Sequence, residues 1–275
     1  MKTRDEWRVT SDVTRGPARA GLVFSRHASR VTRHPTAFTL IELLVSLAVI
    51  GILAAVLLPV LSQSKQSAWR AQCTSNLHQL GMATEMYWDD NQGDCFRYIF
   101  GTTNYGQIYW FGWIGPGPEG QRPYDLSLGA LHPYISDSHV RICPSLNYAL
   151  AQFKLKADGV VYSYGYNLYL STATTKPPVA IGKLPHPTGT ALFADAAQVN
   201  DFQAPASPAN PMLEEWYYVD TNSSYPNGHF RHNQKANVVF CDGHVGLENP
   251  APGSMDLRLP EQFVGRLRPE ILAVP

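Results

Sequence analysis

His229, His232, Cys241, Asp242 and His244 fall within 16 residues near the carboxyl end of this 275-residue chain. Their HxxH and CxxH spacings can bind zinc, and a paired His and Asp can do acid–base work. A plainer reading competes with both. Asp242-Gly243 separates two short runs of β-branched and aromatic residues, Asn237-Val-Val-Phe-Cys241 and His244-Val245, as the dipeptide of a type I′ hairpin turn does. Asp242 would then make the turn, His232 would hydrogen-bond near it, and Cys241 and His244 would flank it. Neighbours in a strand point to opposite faces, so Phe240 and Cys241 cannot both face one site. The chain holds no H-E-x-x-H, no G-x-S-x-G and no P-loop. The turn is therefore the favoured reading. A metal site is second, with His229, His232, Asp242 and His244 as weak candidates, and catalysis is third. No cofactor and no catalytic residue is expected. Gly115-Pro-Gly117-Pro-Glu-Gly120 fits G-x-G-x-x-G formally, but prolines replace the free amides a phosphate needs and no helix follows.

The elements that must carry these residues read as strands and loops. With 21 Gly and 21 Pro, the composition favours strands joined by irregular loops over a helical bundle. Ala191-Leu-Phe-Ala-Asp195 reads as a buried strand ending in a carboxylate, and Val160 to Leu170 alternates enough for another. Residues 94–125 are rich in Gly and aromatics; a hairpin over Gln107 to Ile114 is favoured over a ligand-binding loop displaying Trp110. Leu128 to Ile135 reads as a short helix or turn, and residues 197–227 as a long polar, Pro-rich loop.

The opposite end carries a different signal. Phe38 to Leu61 (FTLIELLVSLAVIGILAAVLLPVL) holds a single charge, Glu42, and is long enough to cross a bilayer as a helix. A carboxylate in lipid is costly and calls for a functional explanation. Residues 1–37 hold eight Lys or Arg against three acids, a leader of +5; with the whole chain neutral, the remainder carries −5. The basic leader stays cytoplasmic by the positive-inside rule, so the rest is exported. No basic stripe lies outside the leader, which argues against nucleic-acid binding. Beyond Ser62 the apolar positions Trp69, Cys73, Leu77, Leu80, Ala83 and Tyr87 recur three and four apart, one face of an amphipathic helix. Asp89-Asp90-Asn91-Gln92-Gly93 stops it, with Gly93 as the left-handed residue. A single helix over residues 38–90 would span about 80 Å, with a bend expected at Pro59. Four cysteines (Cys73, Cys95, Cys143, Cys241) in an exported domain allow up to two disulfides and three full pairings. Cys73, on the docking face, with Cys143, before Pro144, is the expected pair.

Phe38-Thr39-Leu40-Ile41-Glu42 after a small residue and a basic leader resembles the N-terminal signal of type IV pilins and type II secretion pseudopilins. Ala37 stands where that family usually has Gly, and slower processing is expected from it. His232 and Asp242-Gly243, with nine residues between, resemble the His-x9-Asp-Gly signature of a large pseudopilin-like family abundant in planctomycetes and verrucomicrobia. Arg70 to Leu80, Cys143-Pro144-Ser145, Ser163 to Asn167 and Asp195 agree with it. The resemblance implies an α+β, pilin-like fold: a long N-terminal helix packed on an antiparallel sheet with long loops. It implies cleavage by prepilin peptidase between Ala37 and Phe38, methylation of Phe38, and pairing of Glu42 with the N-terminal amine of a neighbouring subunit in a homo-oligomeric filament. Other pilin subunits and an inner-membrane assembly platform are the implied partners. The expected organisation is a cleaved cytoplasmic leader (1–37), a membrane-spanning helix half carrying Pro59 (38–61), an amphipathic half (62–92) and a β-rich domain outside the inner membrane (93–275). Two other classes compete: an anchored binding protein for glycan or cargo, and an anchored metal-binding protein.

Overall fold

A computed structural model of the protein describes residues 39–135, 140, 142–173 and 175–273. The leader and the Ala37–Phe38 junction lie outside them. The chain divides into two compact units between Ile52 and Leu53.

Helix α1 (Leu40–Asp90) is continuous through Pro59. Every residue from Thr39 to Ala68 is exposed. Further along, Cys73, Asn76, Leu77, Leu80, Gly81, Ala83, Thr84 and Trp88 are buried, a stripe at helical spacing. The sequence pattern anticipated Cys73, Leu77, Leu80 and Ala83; Trp69 and Tyr87 lie at its half-buried margin. Polar Asn76 and Thr84 fit because their hydrogen bonds are made internally. Asn76 Nδ2 donates to Ile142 O (3.1 Å) and Tyr164 Oη (3.2 Å), and Thr84 Oγ1 to Leu80 O (2.8 Å). The helix stops where Gln92 (φ 58°) and Gly93 (φ 79°) turn left-handed.

The strands β1 (Ile99–Thr103), β2 (Gly106–Tyr109), β3 (Gly112–Ile114) and β4 (Tyr124–Asp125) form an antiparallel sheet in chain order. The expected hairpin is thus present, and its aromatics are core: Trp110 is fully buried, with Nε1 donating to Tyr217 O (3.0 Å). The idea that Trp110 is displayed to a ligand is corrected by that burial.

After β5 (Phe153–Lys154), β6 (Tyr164–Asn167) and β7 (Ala191–Asp195) pair antiparallel. The expected long strand over 160–170 is shorter, because Leu168–Leu170 closes into a 3-10 turn capped by the Asn167 side chain. Residues 197–227 are not one loop; they hold β8 (Gln198–Asn200), β9 (Met212–Glu214) and β10 (Tyr218–Val219). After β11 (Gly228–His229), β12 (Ala236–Phe240) and β13 (Val245–Glu248) complete a sheet of order β10-β6-β7-β12-β13, antiparallel except at edge strand β10. The strand β14 (Val264–Gly265) pairs with β11, and β5-β9-β8 form a separate three-stranded sheet.

Strand alternation, interrupted in β7 by a bulge at Leu192 that puts Ala191 and Phe193 on opposite faces, sorts this sheet into two cores. Phe193 of β7, Val239 of β12 and Cys241 cluster with Cys73, Leu77 and Leu80 of α1. Ala191, Ala194, Val238 and Phe240 face a second core that includes Phe230, Ile271 and Leu272. Phe240 and Cys241 therefore do face apart. Burial of a Leu side chain contributes roughly 1.5–3 kcal/mol, so Leu77 and Leu80 are major holds of helix on sheet. Contact is close: a Cβ on Gly81 would stand 3.0 Å from Val239 Cγ2.

Candidate functional site

At the start of helix α1, Thr39 and Glu42 satisfy each other. Thr39 N and Oγ1 both donate to Glu42 Oε2 at 2.8 Å, and Glu42 N donates to Thr39 Oγ1 at 3.3 Å. This is a capping box, which supplies partners for amides that the first helical turn leaves unpaired. The T-x-x-E spacing was visible in the sequence. In an apolar run the charge of a carboxylate masks its capping role.

A second constellation is built from four separate segments. Cys73 comes from the docked face of α1, Cys143 from the loop before Pro144, Asp195 from the end of β7, and His232 from the turn ahead of β12. Their donor atoms all lie within 4.8 Å of one another, and all four residues are buried. The Cys73 thiol donates to Asp195 Oδ1 (3.2 Å), Cys143 Sγ is 3.4 Å from His232 Nε2, and His232 Nε2 is 3.3 Å from Asp195 Oδ2. Asp195 Oδ2 also accepts from Asn237 N (2.8 Å), and the buried Arg231 guanidinium reaches Oδ1 at 3.1 Å.

These neighbours set the charges. Burial alone would raise the Asp195 pKa, but Arg231, His232 and the Asn237 amide hold it down to about 2. Burial opposes the charged form of His232 too, yet its bonds to Asp195 and Cys143 raise it to about 9. Burial likewise pushes the Cys143 thiol up, but Cys73, Arg231 and His232 bring it down to about 6. Cys73 is pushed well up, first by burial.

The His-x9-Asp-Gly residues separate in space. His232 closes the turn to Lys235 (His232 N to Lys235 O, 3.0 Å) and turns its ring into the buried cluster. Asp242 stays exposed; its Oδ1 pairs with His244 Nδ1 (2.5 Å) and accepts from His244 N (3.3 Å). The expected type I′ turn is corrected. Gly243 is left-handed (φ 83°) and Asp242 is not, and Gly243 N donates to Phe240 O. The loop is the three-residue kind that ends in a glycine bulge. Of the metal candidates, His229 is buried between β7 and β14 neighbours, with its pKa driven down chiefly by burial, while Asp242 and His244 stay at the turn. Only His232 of that set joins a convergent donor group. The Cys73–Cys143 pair expected as a disulfide stands as two free thiols, as do Cys95 and Cys241.

The family model for the prokaryotic N-terminal methylation motif matches residues 33–58. No curated protein and no solved structure matches the chain. By that motif, running into a long apolar helix ahead of antiparallel-rich sheets, the chain is pilin-like, of the kind a prepilin peptidase processes.

Proposed function

We propose that this chain is a pseudopilin, a structural subunit cleaved between Ala37 and Phe38, methylated on Phe38 and assembled into a type II secretion or type IV pilus-like filament. The observation that carries this reading is the methylation motif running directly into helix residues that are apolar and wholly exposed. An exposed apolar helix needs lipid or like helices around it, and a filament supplies the second after the membrane supplies the first. The basic leader supports a cytoplasmic N-terminus and a β-rich domain outside the inner membrane. The role is structural rather than enzymatic: the Cys73 and Cys143 thiols, the candidate nucleophiles beside His232, are fully buried.

Glu42 carries two readings that one experiment separates. In the subunit-pairing reading its charge meets the new N-terminal amine of a neighbour. In the capping reading it serves its own helix. Gln keeps the reciprocal cap and removes the charge. We expect Glu42→Gln and Glu42→Ala both to leave the chain in the membrane and to abolish filament assembly. Normal filaments from Glu42→Gln would assign Glu42 to the cap alone. Intact mass and N-terminal sequencing of membrane protein should give a methylated Phe38 start. A mature protein that begins at Met1 would overturn the filament-subunit reading.

A further inference from the structure

We propose that Cys73, Cys143, Asp195 and His232 form a structural zinc site that clips helix α1 to the central sheet. Two thiols, an imidazole and a carboxylate are the donor types zinc prefers, and four protein ligands make the closed coordination of a structural site. Tetrahedral zinc, with bonds of ~2.3 Å to sulfur and ~2.0 Å to nitrogen or oxygen, holds its ligand atoms about 3.3–3.8 Å apart. The separations here are 3.2 Å (Cys73 Sγ to Asp195 Oδ1), 3.4 Å (Cys143 Sγ to His232 Nε2) and 3.3 Å (His232 Nε2 to Asp195 Oδ2). The two contacts to Asp195 use different carboxylate oxygens, and with one atom from each residue all four donors lie within 4.8 Å of one another, so closing on zinc takes a contraction of about 1 Å.

Charge and surroundings agree with a divalent cation. Two thiolates and one carboxylate outweigh it by one negative charge, and Arg231, against Asp195, supplies the positive charge that closes the balance. Outer partners orient the ligands: Asn237 N fixes Asp195, and Tyr164 Oη donates to Cys73 Sγ (3.5 Å) while itself accepting from Asn76. Zinc takes both sulfurs as thiolates and His232 as the neutral imidazole, so whatever protons Cys73, Cys143 and His232 carry in the empty site pass to solvent, with no redox change. His232 also lines a cavity of about 1090 Å³ with Arg70, Thr74 and Ser145, which gives the metal a way in.

Another buried carboxylate shows what a site without need of metal looks like. Glu214 is matched by Lys154 (2.8 Å) and Lys156 (2.7 Å), two ammonium groups in place of two thiols. A Cys73–Cys143 disulfide is the rival state, and it would leave His232 and Asp195 as an ion pair backed by Arg231.

The test uses the full-length protein in detergent, purified without chelator from zinc-replete cells. Mass spectrometry of metals should find about one zinc per chain. The stripped protein should take up Co²⁺ with thiolate charge-transfer and tetrahedral visible bands. Cys143→Ser and His232→Ala should lose the zinc, while Cys95→Ala and Cys241→Ala retain it. Should the ligand variants fail to fold, the Co²⁺ titration of the wild-type chain decides alone. Wild-type protein with little zinc and no thiolate–cobalt band would overturn the proposal, as would a Cys73–Cys143 disulfide in a non-reducing peptide map of membrane-derived protein.

Discussion

From Leu40 to Ala68, helix α1 turns every side chain outward; from Cys73 to Trp88 it buries eight residues in the domain. Within the first stretch, Leu43 to Leu61 is uncharged and apolar but for Ser46, and it needs no particular partner, since lipid tails and neighbouring helices satisfy it equally. The second is mixed, and each buried residue answers to a named partner: Asn76 to Ile142 and Tyr164, Cys73 to Asp195, Gly81 to Val239. One helix thus serves two solvents. Bulk hydrophobicity specifies the first half, and stereochemical fit specifies the second.

Truncation should separate the halves most sharply. Leu80→Ala should cost about 2–5 kcal/mol of domain stability, whereas Leu53→Ala should leave the melting temperature of the detergent-held chain within error. Equal losses at both positions, measured by thermal melts, would break the contrast.

Next in size is an effect of pH on the packed domain. Glu215 is buried, and burial raises its pKa from 4.5 to about 7 against the pull of the Val161 and Tyr162 amides, which donate to it. The folded chain holds this proton more tightly than the unfolded one, so stability falls as pH rises through that window. The full change is on the order of 3 kcal/mol. Glu215→Gln keeps an acceptor for both amides and should flatten that part of the stability profile. An unchanged slope in the variant would assign the titration elsewhere.

The hairpin seated on the docked half gives the smallest effects. Gly243→Val should cost about 1–3 kcal/mol, because a β-branched residue resists its φ of 83° and its Cβ would meet Glu85 Oε1 at 2.7 Å. Asp242→Asn should fall within about 0.5 kcal/mol, since Asn can accept from the same His244 amide. A large loss for Asp242→Asn would show that its carboxylate does more than shape the turn.

The same contrast explains what the sequence disclosed. The apolar half was legible from hydropathy alone, and Cys73, Leu77, Leu80 and Ala83 from their 3.6-residue spacing. Asn76 and Thr84 were not, because a polar type reveals burial only when its partner is known. For Asn76 that partner lies 66 and 88 residues away. Asp195 was readable as a buried carboxylate ending an apolar strand. Its convergence with Cys73, Cys143 and His232 was hidden, because contacts 122 and 89 residues apart leave no local period. The strands β8, β9 and β10, of two or three residues each, are too short to show alternation, so 197–227 read as loop. The hairpin at Asp242-Gly243 was found, but its backbone twist depends on how β12 and β13 meet, and the dipeptide alone fits more than one turn.

Helix α1 is synthesised before the strands that cover it. The bond from Cys73 to Asp195 spans 122 residues, which at about 5–20 residues per second take roughly 6–24 s to translate. Through that interval Leu77 and Leu80 have no sheet to lie on, and closure waits further for Val239 in β12. Contacts of such high order are formed late and slowly. A chain held at the membrane by its first helix would therefore pass through a stage with a sticky, uncovered stripe facing its neighbours. The rate at which the carboxyl-terminal hairpin arrives governs how long that hazard lasts.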